Sequence, residues 1–125
     1  FLAIAENRSS DIMLAVATAS VREANNSAEF VGEIERRTGV RVEVLSSLEE
    51  ARLIGVAAAQ FFGADESSLL NIDIGGGSTE LSLMRNGEPE KLFSMKLGAV
   101  GLTEQFLFSD PPRAKEIKNL RAEII

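Results

Sequence analysis

The residues best suited to chemistry lie together in Asn71-Ile72-Asp73-Ile74-Gly75-Gly76-Gly77-Ser78-Thr79-Glu80. An apolar run delivers Asp73 near the end of a strand. Three consecutive glycines then let the backbone turn with positive φ and let a ligand approach closely. Successive amides in such a turn form an anion-binding nest, and Ser78 and Thr79 add hydroxyl donors. Asp73 and Glu80 face each other across the mouth of the hairpin, where two carboxylates suit a divalent metal or a water to be oriented. Other glycine loops fit less well. A P-loop needs Gly-Lys-Ser/Thr, and no Lys is present here. A dinucleotide-binding turn opens into a helix, whereas the alternation after Ser78 reads as a strand. The plain alternative is a glycine-rich hairpin tip with no ligand.

Composition narrows the means available. The 125-residue chain has no Cys and no His, so thiolate nucleophiles, disulfides, Ser-His-Asp triads and the usual zinc sites are excluded. What remains is carboxylates, hydroxyls, Lys or Arg, backbone amides and a metal held by oxygen. The formal net charge of −6 argues against non-specific nucleic-acid binding, which needs Lys and Arg to displace counterions. The most apolar stretch, Leu53 to Ala59, is far shorter than the ~20 residues of a membrane span. Phe1 to Ala5 lacks the basic flank of a signal peptide.

The elements that position the glycine turn can be read from periodicity. Ile12 to Thr18 is a short apolar run expected as a buried strand. Ser20 to Ala24 fits one helical turn. Asn26 as N-cap with Glu29 three residues on begins a helix with Phe30, Val31 and Ile34 as its apolar stripe, and Gly39 ends it. Val40 to Leu45 alternates cleanly, as a strand does. Ser46-Ser47 caps a second helix over about Leu48 to Phe61, with Leu53, Ile54, Ala57 and Phe61 at helical spacing. Strand, helix, strand, helix implies a crossover unit with parallel strands. Gly63 to Ser68 is a polar connector and the expected boundary.

After it the grammar changes. Leu69 to Ile74 and Thr79 to Met84 flank the glycines as strands. Asn86-Gly87 is a hairpin-turn signal, and Pro89 to Leu97 is a third strand. Helices follow at about Leu102 to Phe108 and Arg113 to Ile124, separated by Asp110-Pro111-Pro112. The second part is expected to open as an antiparallel meander.

With these segments in place the chain resembles the exopolyphosphatase / guanosine pentaphosphate phosphohydrolase (Ppx/GppA) family. Asp73 to Glu80 looks like the family's second phosphate loop. Ala17-Thr18-Ala19-Ser20-Val21-Arg22-Glu23-Ala24-Asn25-Asn26 resembles its Ala-Thr-x-x-x-Arg-x-Ala-x-Asn segment. Glu49-Glu50-Ala51-Arg52 resembles its Glu-Glu-Ala-Arg segment, and Leu97 to Glu104 a further block. The resemblance implies an α/β, ribonuclease-H-like fold of the actin/Hsp70/sugar-kinase superfamily. On this expectation residues 1–66 are the C-terminal part of the first lobe and 67–125 the N-terminal part of the second. The family's first phosphate loop, an Asp-x-Gly-Ser-x-Ser strand-turn, has no match, so the chain is expected to be a piece that is inactive alone.

The resemblance also implies roles. Glu50 is the catalytic carboxylate, a general base that activates water. On pattern alone a capping box with Ser47 is the more economical reading of Glu50, and the two are compatible. Asp73 and Glu80 are implied to bind Mg²⁺ or another divalent cation. Gly75, Gly76, Gly77 and Ser78 are implied to donate to phosphate, and Arg22 to contact substrate phosphate with its planar donor fork. Gly98 and Gly101 read as turn-shaping, Arg52 as a partner along its helix, and Arg36 and Arg37 as complements to a helix dipole. The implied substrate is polyphosphate or guanosine pentaphosphate, in a cytoplasmic homodimer with no nucleic-acid or membrane partner. The rivals are an ATP-binding sugar-kinase-like or Hsp70-like protein and a non-catalytic module that senses a phosphorylated ligand.

Overall fold

The computed structural model describes residues 2–63 and 67–125, and the chain divides at Ser46/Ser47 into two units. The first contains α1 (Leu2–Asn7), β1 (Ala15–Ala17), α2 (Ala19–Arg22), α3 (Ser27–Thr38) and β2 (Val42–Val44). β1 and β2 pair in parallel, Ala15 with Val42 and Ala17 with Val44, so α2 and α3 form the expected crossover. Gly39 terminates α3 in the left-handed region at φ 70°, its N–H donating to Glu35 O. Asn26 stands at the N-cap but its side chain makes no capping hydrogen bond.

Two readings are corrected in this unit. α1 was not anticipated, because six residues are too few to show a helical period. The run Ile12 to Thr18 is not buried throughout: Ala15 and Ala17 are half-buried, but Ile12, Leu14 and Val16 are exposed. A two-stranded sheet covered on one face leaves alternate side chains open. An apolar groove of about 890 Å³ opens there, lined by Leu14, Val16, Phe30 and Val42 among others.

The second unit contains α4 (Ser47–Phe62), β3 (Ser68–Ile74), β4 (Thr79–Arg85), β5 (Glu88–Met95), α5 (Ala99–Phe106) and α6 (Ala114–Ile124). The strands form an antiparallel meander in the order β3-β4-β5, as expected. Asn86 and Gly87 make the tight turn between β4 and β5, with φ of 54° and 78°. Positive φ at both central residues is what a two-residue hairpin turn requires. The boundary expected at Gly63 to Ser68 falls partly on residues 64–66, outside the described residues.

α4 packs on this sheet, and the contact inverts the apparent pattern. Leu53, Ala57 and Phe61 are exposed, and the buried residues of α4 are Ala51, Gly55 and Ala59. On β4 the fully buried side chains are Glu80, Ser82 and Met84, while Leu81 and Leu83 lie on the more open face. Small residues on the helix allow backbone approach. A Cβ added at Gly55 would lie 2.7 Å from both Met84 Sδ and Ser82 Cβ. The other face of the sheet is apolar and open, with Leu70, Ile72, Ile74 and Phe93 more than half exposed. No described helix is long and apolar enough to cross a membrane.

Candidate functional site

The glycine turn is held from behind. Gly75 N–H donates to Ser78 O at 2.9 Å and closes the turn, leaving Gly76 and Gly77 exposed at its tip. The carbonyls of Gly75 and Gly76 accept from the first amides of α5: Ala99 N–H to Gly75 O and Val100 N–H to Gly76 O, both at 2.9 Å, and Gly101 N–H to Gly76 O at 3.2 Å. None of the three glycines uses positive φ, contrary to expectation; among the described residues the positive-φ glycines are Gly39, Gly63 and Gly87. A Cβ at Gly75 would crowd the Ser78 carbonyl oxygen at 3.2 Å, whereas one at Gly76 would make an ordinary contact with Val100 Cγ2 at 3.4 Å.

This arrangement sorts the donors. The Gly75 amide is engaged within the turn. Thr79 Oγ1 donates to Leu97 O at 2.5 Å, so its hydroxyl fastens the strand to the segment before α5. The amides of Gly76, Gly77 and Ser78 donate to no other backbone group among the described residues. Ser78 is buried at the base of the turn.

Asp73 and Glu80 are direct partners across β3 and β4. Opposed residues have Cβ atoms about 4.5–5.5 Å apart, and like charges so placed repel. Glu80 is nevertheless 1% exposed, with Ser94 Oγ of β5 donating to its Oε1 at 2.8 Å. No group of three or more His, Cys, Asp or Glu suited to a metal occurs among the described residues. Two opposed carboxylates do fit Mg²⁺, which keeps several waters and takes one or two carboxylates together with substrate phosphate. Asn71, on the same face of β3 as Asp73, has a buried Nδ2 with no hydrogen-bond partner. Such a donor calls for an ordered water or another acceptor.

Glu50 sits in the first turn of α4 and is half-buried. Its neighbour Ala51 is anchored to the sheet by Ser82 Oγ, which donates to Ala51 O at 2.5 Å. Ala59, two turns further along, packs with Met84. α4 therefore runs with its first turn toward the Glu80 end of β4, and the helix and the glycine turn open at the same end of the sheet. The helix begins at Ser47, so the capping position is Ser46 and the third residue inside is Glu49. Glu50 is therefore the fourth residue of the helix, outside the N3 place that a capping box requires. Glu49 pairs with Arg52 at 2.6 Å, and that hydrogen-bonded arginine holds its carboxyl below the usual range.

Arg22, in the first unit, is not a solvated surface arginine. Its Nη1 donates to Leu45 O at 2.8 Å, tying the end of α2 to the end of β2. Arg36 and Arg37 both pair with Glu33 on α3.

Ser82, Ser94 and Gly55 escaped the sequence reading. The signal for Ser82 was the period-2 alternation of β4, but a polar face is ordinarily assigned to solvent, and here it is the buried one.

The whole chain, residues 1–125, matches the model of the Ppx/GppA phosphatase family. The chain belongs to this family. It is 42% identical over 109 residues to exopolyphosphatase 1 of Mycobacterium leprae, covering 87% of this chain and 32% of that protein. It is 38% identical over 109 residues to exopolyphosphatase 1 of Mycobacterium tuberculosis, with the same coverage of 87% and 32%. The chain thus spans about a third of the length of the curated relatives it matches. Among solved structures, the Aquifex aeolicus family member superposes with TM-score 0.75 at 32% identity, over 94% of this chain and 38% of that one. An exopolyphosphatase from Cytophaga hutchinsonii gives TM-score 0.82 at 27% identity, over 91% and 36%. A type IV pilus PilM–PilN complex, at 23% identity and TM-score 0.52, shares the fold alone. The fold is the α/β arrangement of the Ppx/GppA family that the resemblance implied.

Proposed function

We propose that the protein releases terminal phosphate from inorganic polyphosphate by attack of water on the end phosphorus. The observation that carries this reading is the pairing of Asp73 with Glu80 at the base of a turn whose exposed tip is Gly76-Gly77. Family membership and the printed names of the mycobacterial and Cytophaga relatives favour polyphosphate over guanosine pentaphosphate. Residues 1–66 and 67–125 are proposed as parts of two successive lobes. A cytoplasmic location and a homodimer belong to the same proposal, as the family resemblance implies.

In this mechanism Gly76, Gly77 and Ser78 bind the terminal phosphate through backbone amides. Asp73 and Glu80 are the residues that would hold Mg²⁺, which would supply charge neutralisation to the phosphate oxygens. Glu50 takes a proton from the attacking water. Arg22 meets substrate phosphate with a guanidinium that carries five N–H donors in all. Phosphoryl transfer depends on positioning and charge stabilisation more than on covalent help, so a site without His or Cys suffices. Gly75 is retained as a shaping residue whose own amide closes the turn.

The test is release of orthophosphate from polyphosphate by the complete protein, with and without Mg²⁺. Guanosine pentaphosphate and ATP serve as competing substrates. Metal-dependent release from polyphosphate is expected. Hydrolysis of ATP alone, or of nothing, overturns the reading.

A further inference from the structure

The segment Leu97-Gly98-Ala99-Val100-Gly101 carries no group that the proposed mechanism uses, yet it makes the closest contacts to the glycine turn. Gly98 is buried, and its φ of −97° is open to any residue, so conformational freedom does not explain it. Space does. A Cβ at position 98 would overlap the carbonyl of Gly76 and the carbonyl carbon of Gly77, both of them backbone groups. A flexible side chain can yield to such an overlap; a turn pinned at both ends cannot.

The hydrogen bonds give this contact a direction. In a trans peptide the C=O and the next residue's N–H point in opposite directions. The Gly75 carbonyl is drawn to Ala99 N–H, so the Gly76 N–H points away from α5. The Gly76 carbonyl is drawn to Val100 and Gly101 N–H, so the Gly77 N–H points away as well. The two amides therefore lie side by side on the exposed face of the turn. The amide end of α5 carries partial positive charge. Its amides bond to the turn's carbonyls instead of lying open as an anion site of their own. Peptide groups linked in this way polarise one another, which strengthens the outward N–H donors. Thr79 Oγ1 to Leu97 O fastens the strand leaving the turn to the residue before Gly98, and so fixes the two pieces relative to each other.

We propose that Gly98 and the first turn of α5, latched by Thr79, are the positioning element that aligns the Gly76 and Gly77 amides for a phosphate oxygen. The inference rests on the reading of the turn as a phosphate site and deepens it. Gly98 and Thr79 touch no substrate; they act through the turn.

The test uses the complete protein and inorganic tripolyphosphate with Mg²⁺, titrated by calorimetry. Gly98→Ala and Thr79→Val are the variants, with Thr79→Ser as the conservative control that keeps the hydroxyl. Displacement of the turn is expected to weaken binding by about ten- to a hundredfold in both variants. Stoichiometry should stay unchanged, as should the pH profile of the residual phosphate release, and Thr79→Ser should bind like the parent. A merely structural role would lower the binding-competent fraction and leave the dissociation constant in place, and that result overturns the proposal. Should Gly98→Ala fail to fold, Thr79→Val decides. Parent-like affinity in the folded variants overturns this inference alone. Failure of the unaltered protein to bind tripolyphosphate overturns the phosphate reading and this inference with it.

Discussion

Ser94 Oγ donates to Glu80 Oε1 at 2.8 Å across the β4–β5 pair, on a carboxylate that is 1% exposed. A buried acid without partners is costly. This one has a hydroxyl on one side and, opposite it on β3, a second acid, Asp73, that repels it. The hydroxyl fixes the Glu80 rotamer and helps the sheet hold two acids in register.

Ser94→Ala is expected to raise the Mg²⁺ concentration for half-maximal phosphate release by about three- to tenfold. That is about 0.7–1.4 kcal/mol, within the ~0.5–1.5 kcal/mol net contribution of an ordinary hydrogen bond. Ser94→Thr should restore most of the loss. A metal titration of phosphate release that is indifferent to Ser94→Ala would remove this serine from the site.

Glu50→Gln separates the general base from the cap. The variant keeps the shape of the side chain and loses its basicity. A drop in kcat of about 10²–10⁴-fold with little change in KM is expected, the usual contribution of such a base. The thermal midpoint, read beside kcat, separates a lost base from a lost structural contact. Unchanged phosphate release together with a lowered midpoint would return Glu50 to a purely structural role.

Gly55→Ala tests the contact between α4 and β4. In an exposed helix interior this change stabilises by about 0.8–1 kcal/mol. At Gly55 the new methyl would meet Met84 Sδ and Ser82 Cβ at 2.7 Å, and Met84 is itself fully buried. Overpacking costs about 1–3 kcal/mol, so the sign reverses and urea denaturation should show a less stable protein. Activity should fall too, because the displaced helix carries Glu50. A stabilised variant would show that the interface is looser than its packing indicates.

Much of this fold was legible because its signals are local. Gly39, Asn86-Gly87 and the alternation of β3 and β4 each act within a few residues, and each element appears where its signal stands. The glycine turn and its two carboxylates were legible for the same reason. What stayed hidden depended on which face met which. Leu81 and Leu83 look like the core side of β4, but the side packed on α4 holds Glu80, Ser82 and Met84. The choice is made by Ala51, Gly55 and Ala59, small residues whose value is distance rather than apolar area. Gly98 was read as shaping a turn, yet its space is taken by the backbone of Gly76 and Gly77, remote in sequence. Arg22 matched a family position, but nothing local foretold its bond to the carbonyl of Leu45.

The start of α6 gives a prediction in pH. Glu116 accepts from Arg113 N–H at 2.8 Å and from Ser109 Oγ at 3.0 Å. The backbone N–H of Arg113 is the chief cause that holds its carboxyl below the ordinary value of 4.5, with the Ser109 hydroxyl adding to it. A carboxyl whose folded value lies below its unfolded value stabilises the fold at pH above the unfolded value. That contribution is lost as pH falls through the folded value. The parent should therefore exceed Glu116→Gln in thermal stability near neutral pH. The gap should close as pH drops below 4.5 toward the lowered folded value. Glu49→Gln serves as the control, since the Glu49 carboxyl is lowered by Arg52 on a different helix and must leave the Glu116 gap intact. A gap between parent and Glu116→Gln that is the same at neutral and acid pH would show that Glu116 caps α6 by shape rather than by charge.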